Sequence, residues 1–304
     1  MSTLSRSPLS SGFSPSLKGS LSIALAAGLW GLYWIPLREL DEAGIGPLWA
    51  AALTMALAWP FAVLAAWRWS SRPVRGDLPW IALFGAGIGL SAPLYFFAVT
   101  NTDVIRAIFL FYMLPIWTTL IDRLVFGIRL DIARAFAVII AFAGLWLLLG
   151  GDGGIPLPRN AGDWSAICAG FCWGMTLSLV RARPNIDPHL STLSAISGAV
   201  VMSVVAAVFA GAALPPAGTF TPGLLAALAA FGAIAMWPSM IGQLWGARLV
   251  PATRAALLTM SELLVATVSA AILIGTTLTT VQIIGGLVII AAVLVDVLGS
   301  KDVI

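Results

Sequence analysis

The sequence predicts an all-α integral membrane protein whose ten transmembrane helices form two inverted five-helix repeats around a central cavity. Three observations support this prediction: a strongly hydrophobic composition, apolar segments long enough to cross a bilayer, and one segment pattern that occurs twice. Internal repeats in a membrane protein are typical of transporters whose binding site lies between the two halves.

The composition excludes a soluble protein. Of the 304 residues, 60% are hydrophobic and 10% are charged, whereas soluble domains carry about 25% charged residues. The formal net charge of +3 does not indicate nucleic-acid binding, because the basic residues lie in short loops and not in one patch. We therefore expect a lipid bilayer, and no nucleic acid, around the folded chain.

A membrane-crossing helix needs about 20 mainly apolar residues. Such segments are predicted near residues 20–38, 46–67, 78–99, 104–125, 131–150, 163–182, 190–211, 222–247, 252–275 and 280–299. They divide into a first repeat at 20–150, an outer linker at 151–162 and a second repeat at 163–299. Residues 1–19 are predicted to be a disordered cytoplasmic tail, and residues 300–304 a second cytoplasmic tail. Because apolar character continues through Leu37, the first span is predicted to be retained and not cleaved as a signal peptide.

The two halves share sequence at a constant offset. The segment from Arg106 to Leu130 aligns without a gap on the segment from Arg254 to Leu278, which lies 148 residues later. Six of these 25 positions are identical, namely Arg106/Arg254, Ala107/Ala255, Leu110/Leu258, Thr119/Thr267, Gly127/Gly275 and Leu130/Leu278. A Trp-Gly pair in the first span also recurs in the sixth, as Trp30-Gly31 and Trp173-Gly174.

Lysine and arginine set the orientation, because they concentrate in cytoplasmic loops. With the N-terminus inside, 13 basic residues fall on the inner side and three on the outer side. The inner set is Arg6, Lys18, Arg68, Arg72, Arg75, Arg123, Arg129, Arg134, Arg181, Arg183, Arg248, Arg254 and Lys301; the outer set is Arg38, Arg106 and Arg159. Both termini are therefore predicted to be cytoplasmic, in the plasma (cell inner) membrane.

Five spans per half is an odd number, so the second half enters the membrane from the opposite side and the repeats are inverted. Such halves can exchange conformations and open a cavity at the bilayer midplane first to one face and then to the other. A purely structural role for the duplication is the alternative.

Several motifs occur in the same order in both halves. The Trp-Gly pair lies in spans one and six, and spans four and nine open with Arg-Ala and end at Phe126-Gly127 and Ile274-Gly275. The last span opens with the residues Gln282 to Gly286. Together these motifs resemble the drug/metabolite transporter superfamily, specifically its ten-span EamA-type members, over nearly the whole chain beyond residue 20. The resemblance implies secondary transport of small metabolites.

The chain departs from that family at one place. Typical EamA repeats have a Glu directly after the Gly that closes spans four and nine, and here those positions hold Ile128 and Thr276. Any role of that Glu therefore does not carry over to this chain. The glycine-rich loop at 150–154 and the stretch from Tyr112 to Pro115 are more similar to the YddG-type aromatic amino-acid exporters. That likeness implies export of amino acids, including aromatic and neutral ones.

Glu262 is the outstanding polar residue, because it lies near the middle of span nine, where an ionised carboxylate is costly. Acids at this depth usually face a cavity or a partner. Glu262 is therefore the candidate for binding a substrate ammonium or for coupling transport to protons. The alternative is a protonated Glu that bonds to a neighbouring helix. Its repeat counterpart is Leu114, so this chemistry is asymmetric.

Polar and aromatic side chains near the midplane complete the predicted cavity. Gln243 corresponds to Tyr95, and Ser239 to Ser91, at the same offset of 148 residues. The predicted cavity residues are Trp30, Tyr33, Tyr95, Tyr112, Trp173, Trp237, Ser239, Gln243, Thr259 and Glu262. Helix packing is the alternative for each of them. Three prolines inside spans are predicted hinges for gating, although static bundles contain such prolines too; they are Pro93, Pro115 and Pro238.

Other classes of function fit the sequence less well. An intramembrane enzyme lacks a Ser-His pair or a second core acid near the midplane, so no catalytic residue is assigned. The two cysteines have no further Cys or His partner, and no phosphate-binding loop occurs; we therefore expect neither metal nor cofactor and no ATP-driven step. A passive channel is disfavoured because charged pore rings are missing. Within transporters, the alternative substrates are multidrug or other hydrophobic cations, since aromatic rings and one acid suit them equally.

Overall fold

The computed structural model of the protein describes residues 14–129, 131–150, 157–216 and 218–299, and this part of the chain is helical, without strands. Nine of its helices are long and apolar enough to cross a membrane, and a tenth apolar helix has 17 residues. We number these ten as spans 1 to 10: Pro15–Glu42, Pro47–Trp69, Arg75–Asn101, Val104–Leu124, Ile132–Leu148, Ala161–Ala182, Pro188–Phe209, Pro222–Ala247, Ala252–Ile274 and Thr280–Gly299. The predicted all-α fold with ten spans is confirmed.

The N-terminal boundary needs a correction. Span 1 begins at Pro15, so residues 15–19 are helical and do not belong to a disordered tail. The local cause is a helix cap, because the Ser14 hydroxyl accepts a hydrogen bond from the Leu17 amide at 3.2 Å and Pro15 occupies the first turn. The rest of that tail, the loop at 151–156 and the C-terminal residues 300–304 lie outside the described residues.

Four of the spans are irregular near their middle. Span 1 consists of two helices, Pro15–Trp30 and Trp34–Glu42, and span 4 of Val104–Phe111 and Leu114–Leu124. Span 9 divides in the same way, into Ala252–Leu258 and Ser261–Ile274. Span 8 contains a π-helical turn at Gly232–Met236, between Pro222–Phe231 and Trp237–Ala247. When the halves are aligned at the repeat offset of 148 residues, the break in span 4 coincides with the break in span 9 to within one residue.

The two halves pack mainly on each other. Span 3 packs on spans 6 and 7, and its equivalent, span 8, packs on spans 1 and 2. The contact of span 4 with span 6 likewise corresponds to that of span 9 with span 1. Spans 2 and 7, 4 and 9, and 5 and 10 each pack on their own equivalent. Exchanging the halves maps this set of contacts onto itself, as an inverted repeat with a pseudo-twofold axis requires.

The same symmetry extends to single hydrogen bonds. The Ser91 hydroxyl of span 3 donates to the Ala169 carbonyl oxygen of span 6 at 2.9 Å. The Ser239 hydroxyl of span 8 donates to the Ala26 carbonyl oxygen of span 1 at 2.6 Å. Ser239 follows Ser91 by 148 residues, and Ala169 follows Ala26 by the 143 residues that separate the two Trp-Gly pairs. The same interhelical hydrogen bond therefore occurs at equivalent positions in the two halves.

Glycines allow the closest of these contacts and end the repeated element. A Cβ on Gly144 of span 5 would lie 2.8 Å from the Ile289 nitrogen and 2.9 Å from the Gly285 oxygen of span 10, so neither helix could carry a larger residue there without shifting. The glycines that close spans 4 and 9 are needed for a different reason, because their backbone φ is positive, 67° at Gly127 and 72° at Gly275. Only glycine adopts this left-handed conformation readily.

Candidate functional site

A cavity of about 250 Å³ lies between the two halves. Its lining comes from both halves and is mostly apolar. The aromatic and polar members of the lining are Trp30, Tyr33, Trp34, Ser91, Tyr95, Phe96, Phe111, Trp173, Gln243, Thr259 and Glu262. The cavity therefore combines broad ring surfaces with few polar groups and one acid, which is the usual composition of a small-molecule site.

The rings around the cavity form a connected series. Trp30 contacts Trp173 with ring centroids 6.3 Å apart, and it contacts Tyr33 at 5.3 Å. Tyr33 meets Phe96 edge to face at 6.3 Å, and Tyr95 follows at 6.1 Å from Phe96. Rings at these distances pack on one another, so the cavity presents connected aromatic faces to a ligand.

Glu262 enters the cavity from the first turn of the second helix of span 9, just after the break. Among the described residues, no Lys, Arg or His nitrogen lies within 4.0 Å of its carboxylate. Its neighbours include the phenol of Tyr95, which lines the same cavity, and that of Tyr112. The Tyr112 hydroxyl is buried and has no aligned hydrogen bond in the structure. Glu262 thus faces the cavity as an acid without an ionic partner.

The contacts of the recurring Trp-Gly pair with the broken helices of spans 9 and 4 explain why the pair recurs. A Cβ on Gly31 would collide with the Glu262 carbonyl oxygen, so the glycine lets span 1 lie directly on the break in span 9. In the other half, a Cβ on Gly174 would lie 3.2 Å from the carbonyl oxygen of Leu114, the equivalent of Glu262. In each pair the glycine admits the broken helix, and the preceding tryptophan lines the cavity.

The structure brings seven of the ten predicted cavity residues together around the cavity and leaves three behind its wall. The seven are Trp30, Tyr33, Tyr95, Trp173, Gln243, Thr259 and Glu262. Tyr112 is 1% exposed and packs on Phe111 at 5.3 Å. Ser239 is buried in its bond to span 1 and accepts a hydrogen bond from Gln243 at 3.3 Å. Trp237 follows the π-helical turn outside the lining. Contact of any of the ten with substrate stays a prediction.

Two residues of the lining, Tyr33 and Trp34, differ from what the sequence predicts. The Tyr33 hydroxyl is already hydrogen-bonded to Thr54 at 2.5 Å, so this residue offers a ligand its ring and not its hydroxyl. Trp34 lines the cavity although the sequence analysis did not select it, and its indole nitrogen donates to the Ser269 hydroxyl of span 9 at 3.0 Å. The available signal was its position four residues after Trp30, which places both on one helix face.

The three predicted hinge prolines differ in their surroundings. Pro93 lies inside the continuous helix of span 3. Pro115 and Pro238 lie in the first turn of a helix, after the break in span 4 and after the π-helical turn in span 8, respectively. Their role in gating stays a prediction. Span 9 breaks at Thr259 and Met260 without any proline.

Charged groups tie the helices together at both ends of the bundle. At one end, which we call the Asp163 end, the carboxylate of Asp163 binds Arg106 at 3.3 Å and accepts a hydrogen bond from Thr102 at 2.6 Å. At the other end, the Asp296 end, the carboxylate of Asp296 binds Arg254 at 2.6 Å and Arg134 at 3.1 Å. The predicted orientation places the Asp163 end outside and the Asp296 end inside.

The cavity extends from the centre towards the Asp163 end. Trp34 and Leu37 line it there, on the part of span 1 that runs to that end. Their equivalents in span 6, Leu177 and Val180, lie towards the Asp296 end and are only 1% and 2% exposed. Two other equivalents near the Asp296 end, Ala256 and Thr118, are fully buried, although their counterparts Ile108 and Ala266 line the cavity. One half of the symmetric pathway is therefore open and the other is packed.

Comparison with known proteins agrees with this architecture. The model of the EamA-like transporter family matches residues 17–150 and again residues 160–297. The chain therefore belongs to the EamA-like transporter family and is a multi-pass membrane transporter of the drug/metabolite transporter superfamily. A solved structure titled only "Crystal structure of protein" superimposes with a TM-score of 0.74 at 17% identity, over 93% of this chain and 99% of that one, which shows a common fold. No curated protein matches the sequence.

Proposed function

We propose that this EamA-like protein is a secondary transporter that exports small metabolites by alternating access, and that its substrates carry a positively charged nitrogen on an apolar or aromatic body. Bulky neutral amino acids, as predicted from the sequence, meet this description. The single observation that carries the proposal is the Glu262 carboxylate, which faces a cavity with aromatic walls and has no ionic partner among the described residues.

The chemistry of Glu262 supports both binding and coupling. An unpaired carboxylate at this depth is costly, and a substrate ammonium that pairs with it removes that cost. A proton that binds the same carboxylate removes the charge and with it the attraction for the ammonium. Competition of substrate and proton for one group therefore provides exchange of the two across the membrane.

The repeat supports the alternating part of the proposal. If the two halves exchange their conformations, Leu177 and Val180 take the places that Trp34 and Leu37 have now, and the cavity extends to the Asp296 end. Glu262 then takes the place of Leu114, which lines the cavity in the present structure. The acid therefore faces the cavity in both states, as a carrier requires.

Hydrophobic cations are the second candidate class. The connected ring series from Trp173 to Tyr95 favours them, because aromatic faces attract a cation and need no matching group for a carboxylate.

Counterflow in proteoliposomes tests the proposed function. Vesicles that hold the purified protein and an excess of unlabelled substrate are offered labelled substrate, across all twenty amino acids and a set of lipophilic cations, with and without a pH gradient. We expect labelled substrate to accumulate with the wild type and to fall to the level of empty vesicles with Glu262→Gln. The exposed Glu39→Gln serves as the matched control. If Glu262→Gln keeps the wild-type rate and pH response, Glu262 is structural and the proposal is wrong.

A further inference from the structure

Glu262 is the one carboxylic acid of the lining, and no Lys, Arg or His belongs to the lining within the ranges that the structure describes. The two arginines that open spans 4 and 9 are occupied elsewhere, since Arg106 pairs with Asp163 and Arg254 with Asp296. A substrate carboxylate in this cavity would therefore have no ionic partner.

Helix breaks are the second source of groups that bind carboxylates, because the N-terminus of a half-helix can offer free amides to an anion. In span 9 two of these amides are already used. The Glu262 amide donates to the Thr259 carbonyl oxygen at 3.1 Å. The Leu263 amide donates to the Met260 carbonyl oxygen, also at 3.1 Å. The break is thus a tightened turn that leaves these two amides no capacity for a ligand.

The breaks in spans 4 and 1 are closed in the same way. The Ile116 amide donates to the Met113 carbonyl oxygen at 2.9 Å, and the neighbouring Pro115 has no N–H. In span 1 the Tyr33 amide donates to the Trp30 carbonyl oxygen at 2.9 Å. The Ile116 and Tyr33 amides are therefore not free to bind a carboxylate.

The neutral hydrogen-bond donors of the cavity wall do not replace a cationic side chain or free backbone amides as ligands for a carboxylate. The Tyr95 hydroxyl lies beside Glu262, so a carboxylate bound to it would lie next to a second acid, and the Gln243 amide already donates to the Ser239 hydroxyl at 3.3 Å. The rings attract a cation instead. The cavity volume of about 250 Å³ lies below the roughly 300–1,000 Å³ of sites for drug-sized ligands.

From these observations we infer that the cavity selects small arylalkyl monoamines in their protonated form, over the zwitterionic amino acids with the same ring and over large multi-ring cations. The ammonium pairs with Glu262, and the ring lies among the aromatic walls. The inference rests on the proposed function and narrows its substrate class. The amino acid differs from the amine only by a carboxylate that the cavity leaves unpaired.

Competition binding tests the inference on the purified full-length protein in detergent, where passive leakage of amines through lipid plays no part. Labelled phenethylamine is displaced by phenethylamine, phenylalanine, 3-phenylpropionate and tetraphenylphosphonium. The three single-ring compounds differ in the charged groups that they carry, and tetraphenylphosphonium is a larger cation with the same charge as phenethylamine. We expect phenethylamine to displace the label at a concentration about 10- to 150-fold below that of phenylalanine, the range for a charged group left unpaired. The phenylpropionate and the large phosphonium should displace little.

Variants at the acid separate its charge from its shape. Glu262→Asp keeps the charge and should keep the preference for the amine, whereas Glu262→Gln should reduce the difference between amine and amino acid to about twofold or less. A size-exclusion profile identifies variants that fail to fold. Phenylalanine that competes as well as phenethylamine, or a preference that survives Glu262→Gln, overturns the inference while leaving the proposed function intact. Absence of both binding and counterflow for every compound overturns the proposed function itself.

Discussion

The two glycines of the recurring Trp-Gly pair predict unequal effects from equivalent substitutions. A Cβ on Gly31 would collide with the Glu262 carbonyl oxygen and lie 3.0 Å from the Val265 Cβ. At Gly174 the nearest atoms are the Leu114 oxygen at 3.2 Å and a Thr118 methyl at 3.4 Å, distances that small shifts can accommodate. Both glycines have ordinary helical conformations, so alanine meets no backbone strain at either position.

The magnitudes follow from these distances. Overpacking at Gly31 costs about 1–3 kcal/mol, offset by the roughly 0.5–1 kcal/mol that alanine gains over glycine in a helix. Gly31→Ala should therefore destabilise the protein by about 0.5–2 kcal/mol, or about 1–3 °C in unfolding temperature. Gly174→Ala should lie within about 0.5 kcal/mol of the wild type. Because Gly31→Ala also displaces the backbone of Glu262, a loss of about 1.4 kcal/mol in its pairing with substrate lowers affinity about tenfold.

Thermal unfolding in detergent, followed by the fluorescence of the 13 tryptophans, measures the stability difference. Counterflow at low substrate concentration measures the functional one. Gly76→Ala is the control, since no atom lies within 4 Å of the Cβ that it adds. Equal effects of Gly31→Ala and Gly174→Ala, or a larger effect at Gly174, would refute the explanation of the Trp-Gly pair.

Two further predictions concern the contacts that hold the bundle together. Asp296→Asn removes the carboxylate that pairs with Arg254 and Arg134, both largely buried, and should lower the free energy of unfolding by about 3–5 kcal/mol. The exposed Asp41→Asn should leave the stability unchanged, and a loss below about 1 kcal/mol for Asp296→Asn contradicts the buried network. Ser91→Ala removes one interhelical bond and should cost about 1 kcal/mol, whereas Ser239→Ala removes the equivalent bond and also the acceptor of the buried Gln243 amide and should cost more. The two effects should add in the double variant, as chemical denaturation can check, and a smaller cost at Ser239 than at Ser91 would contradict this account.

The sequence predicts the architecture well because the signals for it are repeated and redundant. Nine apolar helices of sufficient length, a tenth of 17 residues and a gap-free repeat define the spans within the described residues. The glycines that end spans 4 and 9 occupy the left-handed conformation that their recurrence indicates. The acid at Glu262 is also found from the sequence, because a carboxylate amid apolar residues is conspicuous without knowledge of the fold.

The sequence predicts the cavity wall less well, because helical periodicity shows which residues share a helix face but not what packs against that face. Tyr112 and Ser239 are both predicted to line the cavity, yet the first packs behind Phe111 and the second is used in an interhelical bond. The break in span 1 is followed by Pro36, which has no N–H for the Leu32 carbonyl oxygen, whereas the break in span 9 has no proline and lies against Gly31 of span 1. Trp34 was not selected for the cavity, although its spacing from Trp30 carries the signal.

Exchange of conformation between the two halves around Glu262 is the central claim, and paired thiol accessibility tests it most directly. In a background with Cys168→Ala and Cys172→Ala, Leu37→Cys places a thiol in the open half of the pathway, and Val180→Cys places one at the equivalent position in the packed half. Without substrate, a maleimide in detergent should modify the first thiol and spare the second.

Addition of a transported substrate should raise the reactivity at position 180 and lower it at position 37, and Glu262→Gln should abolish both changes. Reactivities that stay constant with substrate, or that rise and fall together, would contradict alternating access by exchange of the two halves.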